Sequence, residues 1–232
     1  MNNRNISLPD RFRLLEKVYQ WYDEIAWSFA DWACRPGCSA CCTSSVILTT
    51  LEAAFMWERY SKLLKERMPA EPTDGLLSPL RMTTNEQAAL CMAKQDFKDD
   101  TEPIAGSRCP LLADNRCMCY EARPLMCRIM FSTVPCETTG EAETPGILLS
   151  LNIACLQLVE HIDRDGWSGY LSHLLPHCGD EEFMRAYVEG KDQPSDSRLR
   201  ANRPNPGFLI PPEHQARVKN WLAEFDKLQS GS

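Results

Sequence analysis

The 232-residue chain is 44% hydrophobic and 25% charged, the balance of an ordinary soluble globular protein. Its length suits one domain with an elaboration and is enough to bury an apolar core without help from a metal. A net charge of −7 supplies no long basic stripe, which speaks against general nucleic-acid binding, and no apolar run approaches the roughly 20 residues that span a bilayer.

The opening stretch, MNNRNISLPDRFRLL, turns amphipathic at once and lacks the pattern of a signal peptide, so a reducing, cytoplasmic location is expected. In such a compartment the twelve cysteines read as metal ligands or reactive thiols and not as six disulfides. From Asp10 to about Ala33, Phe12, Leu15, Tyr19, Tyr22, Ala26 and Phe29 recur at steps of three and four, with Leu14, Val18, Trp21 and Ile25 widening the face. This predicts a long amphipathic helix, ended by Arg35-Pro36-Gly37. Val46-Ile47-Leu48 reads as a short strand. Thr49 or Thr50 then caps a helix to about Met68, with Glu52 in its first turn. Pro69 to Pro79 reads as a loop and Thr84 to about Phe97 as a helix that carries Cys91.

Between Cys109 and Cys127 the chain reads as compact and irregular: a turn at Ala113-Asp114-Asn115, a short strand near Cys117 to Tyr120, then one or two helical turns. Thr138 to Pro145 is polar and expected at the surface. Helices are predicted over Leu149–Asp163, Trp167–Leu175 and Glu181–Val188. Lys191 to Pro206, with Arg198, Arg200 and Arg203, reads as a solvated loop. A last helix starts near Pro211, with an apolar stripe of Val218, Trp221, Leu222, Phe225 and Leu228. The class is mainly α, or α+β with a few short strands, its helices packed around a cysteine-rich metal-binding core. The expected division is an N-terminal helix to residue 33, a cysteine-cluster domain over 34–160 and a C-terminal helical extension over 161–232. No sizeable sheet is predicted.

Cys34-Arg-Pro-Gly-Cys38-Ser-Ala-Cys41-Cys42 sets four sulfurs within nine residues, in a loop of small residues that can wrap a cation closely. Thiolates are soft ligands suited to zinc and to iron–sulfur clusters. Cys38 and Cys41 have the two-residue spacer that lets two sulfurs converge on one site. The adjacent pair Cys41-Cys42 is harder to place on one metal, because neighbouring side chains diverge; division between two metals, or between irons of one cluster, is geometrically easier.

The second group is Cys109-Pro-Leu-Leu-Ala-Asp-Asn-Arg-Cys117-Met-Cys119-Tyr-Glu-Ala-Arg-Pro-Leu-Met-Cys127-Arg. With the first group it resembles the YkgJ-type cysteine-cluster family, described as a zinc- or iron-chelating domain. The resemblance rests on Cys41-Cys42, Cys109-Pro110-Leu111-Leu112, Cys117, Tyr120-Glu121, Arg123-Pro124 and Cys127-Arg128, and runs from about Cys34 to Cys155. It implies metal or cluster binding by Cys34, Cys38, Cys41, Cys42, Cys109, Cys117 and Cys127. An eighth ligand is expected downstream, where Cys155 after an apolar run is preferred to Cys136 in its Val-Pro-Cys-Glu turn. Two departures stand out. Three residues separate Cys34 from Cys38, where the family has two, and Cys119 replaces an aliphatic residue and so reads as packing, although its spacing from Cys117 also suits a substitute ligand.

Arg123 and Arg128 read either as groups that offset thiolate charge or as ordinary salt-bridge partners. Tyr120, the tryptophans, Cys91 and Cys178 read as core. His173 and His177 have helical i, i+4 spacing, yet Pro176 interrupts the helix that would align them. Three function classes follow: a structural or metal-handling zinc or iron centre, an iron–sulfur redox enzyme or maturation factor, and an interaction module whose apolar helices meet a protein partner.

Overall fold

The computed structural model describes residues 6–29, 31–68, 77–96, 107–191 and 196–230. Helix α1 (Leu8–Phe29) starts where Ser7 Oγ accepts the Asp10 amide at 3.3 Å, a cap for one of the amides a helix start leaves open. Its buried face is Leu15, Val18, Tyr19, Trp21, Tyr22 and Ala26, close to the predicted stripe. The helix stops short of the expected Ala33. Trp32 folds back so that its indole donates to Ala26 O at 2.9 Å, and Ala33 N donates to Ser132 O at 2.8 Å, which draws the chain off the helix axis.

Strand β1 (Ile47–Thr49) leads straight into α2 (Thr50–Arg67). Thr49 Oγ1 accepts the Glu52 amide and Glu52 returns a carboxylate oxygen to the Thr49 amide, a reciprocal cap that fixes this helix start. Helix α3 (Thr84–Met92) opens on the same device, Thr83 with Glu86. It ends before the predicted Phe97, which lies outside the described residues, as does most of the Pro69–Pro79 loop. Lys94 sits in the left-handed region at φ 53°, past the last helical turn.

The second cysteine stretch forms a hairpin of β2 (Leu112–Ala113) and β3 (Arg116–Cys117), with Leu112 opposite Cys117. Asp114 and Asn115, at φ 48° and 60°, make the predicted turn; both residue types tolerate that backbone region. A single 3₁₀ turn, Tyr120–Ala122, takes the place of the strand expected up to Tyr120. Helices α4 (Leu125–Arg128), α5 (Cys136–Thr139) and α6 (Gly146–Ile162) follow.

The predicted Trp167–Leu175 helix is two elements. Trp167–Tyr170 is strand β4, and only from Leu171 does helix α7 (Leu171–His177) begin. Strand β4 pairs antiparallel with β1 on one side and with β5 (Arg200–Ala201) on the other, so all four residues are buried. Gly169 permits this packing: a Cβ there would lie 2.5 Å from Leu199 Cδ2. The Lys191–Pro206 stretch therefore contains a strand, while residues 192–195 are outside the description. Arg200 donates to Leu80 O at 2.8 Å and Arg198 holds Asp196, so this segment is tethered, contrary to the solvated loop expected. Helix α8 (Glu181–Glu189) starts at Asp180, whose carboxylate accepts the amides of Glu182 and Phe183. Helix α9 (Gln215–Ser230) buries Val218 and Phe225 against the rest; the Leu228 side chain lies outside the description.

The fold is mainly helical with a few short antiparallel strands. One continuous apolar cluster joins Leu15 and Tyr22 of α1, Met56 of α2, Leu151 and Val159 of α6, Leu174 of α7 and Phe225 of α9. Cys119, Cys155 and Cys178 are inside it, whereas Cys34, Cys109, Cys117 and Cys127 pack on its margin. Cys91, expected in the core, is exposed on α3, and Tyr120 is 48% exposed. Trp21 and Trp167 are core residues as expected, but Trp27 is half exposed, set edge-on to Phe131. Among the described residues no helix is long and apolar enough to cross a membrane.

Candidate metal centre

Two turns shape the first cysteine group. Cys38 N donates to Arg35 O at 2.9 Å across Pro36-Gly37, and Gly37 takes φ +92°. A second turn closes with Cys42 N donating to Ser39 O at 3.1 Å. Gly37 has nothing within 4 Å of a would-be Cβ, so its requirement is one of backbone conformation and not of space. Gly37→Ala is accordingly expected to cost about 1–2 kcal/mol of local stability, read as faster amide exchange in residues 33–44 with little change elsewhere.

The two cysteine groups meet through the main chain. Cys109 N donates to Cys42 O at 3.1 Å, Ser44 N donates to Ser107 O at 2.8 Å, and Thr43 and Arg108 form an antiparallel bridge. Ser39 Oγ also reaches Asn115 Oδ1 at 3.4 Å, across to the hairpin turn. Residues some 65 positions apart in the chain are thereby held side by side. Leu112 N donates to Cys109 O, β2–β3 carries Cys117, and Cys127 sits in α4 with its amide on Pro124 O.

Thiol electrostatics records this proximity. A hydrogen bond to Cys42, then burial, pushes the Cys41 thiol far up, and the same bond lowers Cys42. The charges of Cys127, Cys109 and Cys117 act on Cys42 in the opposite sense. Burial raises Cys109 and Cys117. Cys127 is partly exposed as a residue, yet protein surrounds its sulfur closely enough to push the thiol well above its ordinary range, with Cys109 and Cys117 adding to the effect. Burial raises Cys34 as well, and the neighbouring Cys38, Cys41 and Cys136 contribute.

The donor chemistry fits a soft cation: thiols crowded together repel one another as thiolates, and a metal ion removes that repulsion. The sulfurs are gathered without being aimed at one point. Among the described residues no three His, Cys, Asp or Glu side chains form a ready metal cage.

Residues 33–144 match the family model CxxCxxCC, described as a putative zinc- or iron-chelating domain. This segment is similar to that family. Searches of curated proteins and of solved structures find no match to the chain. The CxxCxxCC segment takes in Cys34 through Cys136 and stops before Cys155. Cys155 stands on α6, wholly buried, and its thiol is raised by burial alone. Cys119 is wholly buried within the apolar cluster.

The arginines of the CxxCxxCC segment do both things their sequence suggested. Arg128 donates to Asp23 Oδ2 at 2.5 Å, to Glu121 O at 2.6 Å and to Arg123 O at 3.0 Å, with its guanidinium 4.1 Å from the Tyr19 ring centre. Arg123 lies 3.8 Å over the ring of Tyr120 and donates to Tyr120 O at 2.9 Å, while its charge lowers the thiols of Cys117 and Cys127 against their burial. Tyr120 is thus a platform for Arg123 at the surface. Two supports escaped the sequence reading. Asp23 on α1 holds Arg128. Glu52, read only as a first-turn residue, also accepts the Leu125 amide at 2.7 Å and the Tyr19 hydroxyl at 2.9 Å, anchoring the start of α4 to α2. Its signal was the Thr49–Glu52 pair alone, which says nothing about residue 125. His173 and His177 do not join the site: His177 pairs with Asp196 at 2.8 Å and stacks on Phe183.

Proposed function

We propose that this chain is a cytoplasmic metal-binding protein that chelates zinc or iron through Cys34, Cys38, Cys41, Cys42, Cys109, Cys117 and Cys127, with residues 34–160 as the binding unit and the flanking helices packed on it. The observation that carries the reading is the main-chain stitch between Cys42 and Cys109, which brings two soft-ligand clusters together at the margin of the apolar core. A cation bound there offsets thiolate repulsion and ties the exit of α1 to the loop before α4. Arg123 and Arg128 hold that loop, and Glu52 fixes the first amide of α4. The centre serves as structure or as metal handling in this reading.

The adjacent Cys41 and Cys42, hydrogen-bonded to each other, favour a second reading: an iron–sulfur centre in a redox enzyme or maturation factor, since seven donors exceed the four of a single tetrahedral ion. Anaerobic purification with metal and sulfide analysis separates the two. Stoichiometric zinc in a colourless protein supports the first reading; a brown protein with acid-labile sulfide supports the second; a folded chain that binds neither metal overturns both. In either case Cys127→Ser is expected to weaken metal binding by more than about 100-fold, because losing a donor exceeds the loss of a supporting group. Cys91→Ser is expected to leave metal content unchanged and to shift stability by less than about 0.5 kcal/mol, as suits an exposed side chain.

A further inference from the structure

Where the two cysteine groups meet, their main chains pair as short strands. Thr43 lies opposite Arg108, Cys109 N donates to Cys42 O at 3.1 Å, and Ser44 N donates to Ser107 O at 2.8 Å. These are the two bonds that an antiparallel pair centred on residues 43 and 108 makes, so Cys42 stands directly opposite Cys109. Residues opposed in this way send their side chains to the same face, while Thr43 and Arg108 take the other. In such a pair the Cα atoms are about 4.5–5.5 Å apart, inside the roughly 4.4–6.8 Å that a disulfide spans. Cys117, by contrast, stands opposite Leu112, Cys127 is on helix α4, and Cys119 is closed inside the apolar cluster. Cys42 and Cys109 are both partly exposed, so a small solute reaches them.

We infer that Cys42 and Cys109 are a redox pair that closes a cross-strand disulfide and, resting on the reading that these thiols chelate metal, that closure and metal binding exclude each other. The oxidant is a low-molecular-weight disulfide. One thiol of the pair, as its thiolate, attacks a sulfur of that molecule and breaks its S–S bond, which forms a mixed disulfide and releases one small thiolate. The second thiol, deprotonated in turn, attacks the protein sulfur of the mixed disulfide and expels the other small thiolate. The pair gives up two electrons and two protons, and the small disulfide becomes two thiols. Closure withdraws two donors from the centre at once, and exchange with a small thiol returns them. A transient bond of this kind is the sort that a reducing compartment allows.

The test treats the full reduced, metal-free chain with oxidised glutathione under anaerobic conditions, blocks the remaining thiols by alkylation and maps disulfides by mass spectrometry. The first cross-link to form is expected to join Cys42 to Cys109, and Cys109→Ser is expected to leave glutathione on Cys42 in its place. The cross-linked wild type, with its helical circular dichroism retained, is expected to bind zinc more than about 100-fold more weakly than the reduced chain, because losing two donors exceeds the loss of a supporting group. Reduction should restore the affinity, and zinc added beforehand should keep the cross-link from forming. A first cross-link between other cysteines, or none at all, overturns the pair. A Cys42–Cys109 cross-link that leaves zinc affinity unchanged overturns the exclusion. A reduced, folded chain that retains neither zinc nor iron overturns the chelation reading instead, whereas the cross-link itself is read without metal.

Discussion

Asp163→Ala is expected to destabilise the fold by about 3–5 kcal/mol, the effect of removing one partner from a buried charged network. Asp163 is fully enclosed and collects donors from four parts of the chain. Leu51 N, in the first turn of α2, donates to Oδ2 at 3.0 Å; Asn202, just after β5, donates to Oδ2 at 3.1 Å and to the Asp163 carbonyl at 2.8 Å. Tyr187 of α8 donates to Oδ1 at 2.5 Å, and Arg11 of α1 lies 3.6 Å from Oδ1 while donating to the Tyr187 hydroxyl. The room for this carboxylate exists because residue 166 is glycine: a Cβ there would come within 2.6 Å of both oxygens. Alanine at 163 leaves the buried Arg11 without its counter-charge and several donors without acceptors.

The check is chemical denaturation, with the midpoint lowered and the slope against denaturant unchanged. A loss below about 1 kcal/mol would show that water replaces the carboxylate freely, against its full burial. The residue also has a pH signature. Burial pushes its pKa from 3.8 up to about 7, against the hydrogen bonds of Tyr187 and Leu51 that lower it. The folded state then holds a proton that the unfolded state releases, so this residue's contribution is complete below about pH 4 and fades as pH rises through about 7. Asp163→Asn keeps one acceptor oxygen and is expected to cost less than alanine while removing that slope.

What the sequence made legible follows the range of the interactions involved. The face of α1 could be read because helical period alone sorts Leu15, Tyr19, Tyr22 and Ala26 to one side. The end of α1 could not, because it depends on Trp32 reaching back to Ala26 and on Ala33 reaching Ser132, a residue a hundred positions away. Trp-Ser-Gly-Tyr at 167–170 shows no alternation, since a central strand covered on both faces needs none; its neighbours β1 and β5 decide its state. In the candidate site, the soft-ligand character of Cys34 to Cys42 is a matter of spacing and was visible directly. The meeting of Cys42 with Cys109 was visible only through the family resemblance, because nothing local announces a bridge between Thr43 and Arg108. The supports Asp23 and Glu52 lie on α1 and α2, remote in sequence from the arginine and the amide they hold. The cysteine-rich metal-binding core expected from the two cysteine groups is in the event an apolar core with four of the proposed donors on its margin.

That placement predicts how metal removal acts. In small zinc domains the ion supplies the fold, on the order of 10–16 kcal/mol, because there is little core without it. Here Leu15, Tyr22, Met56, Leu151, Leu174 and Phe225 form a core with none of the proposed donors among its buried members, four of them packing only on its margin. Stripping the metal with a competing chelator is therefore expected to loosen residues 33–44 and 107–128 while α2, α6 and α7 keep their protection. At free zinc 100-fold above its dissociation constant, binding adds about 2.7 kcal/mol to the states that require it, which is about a 100-fold slowing of exchange in those two segments. Hydrogen exchange with and without zinc reads this directly. Uniform slowing across α2 and α6 would mean that the ion is coupled to global unfolding and that the apolar core does not stand alone. Glu52 is the sharpest internal control, because it belongs to both regions: one oxygen of its carboxylate takes the Thr49 amide at the start of α2, and the other takes the Leu125 amide at the start of α4. The Thr49–Leu51 amides should keep their protection when zinc is removed, and Leu125 should lose it, placing the boundary between the metal-dependent loop and the self-sufficient core at that one side chain.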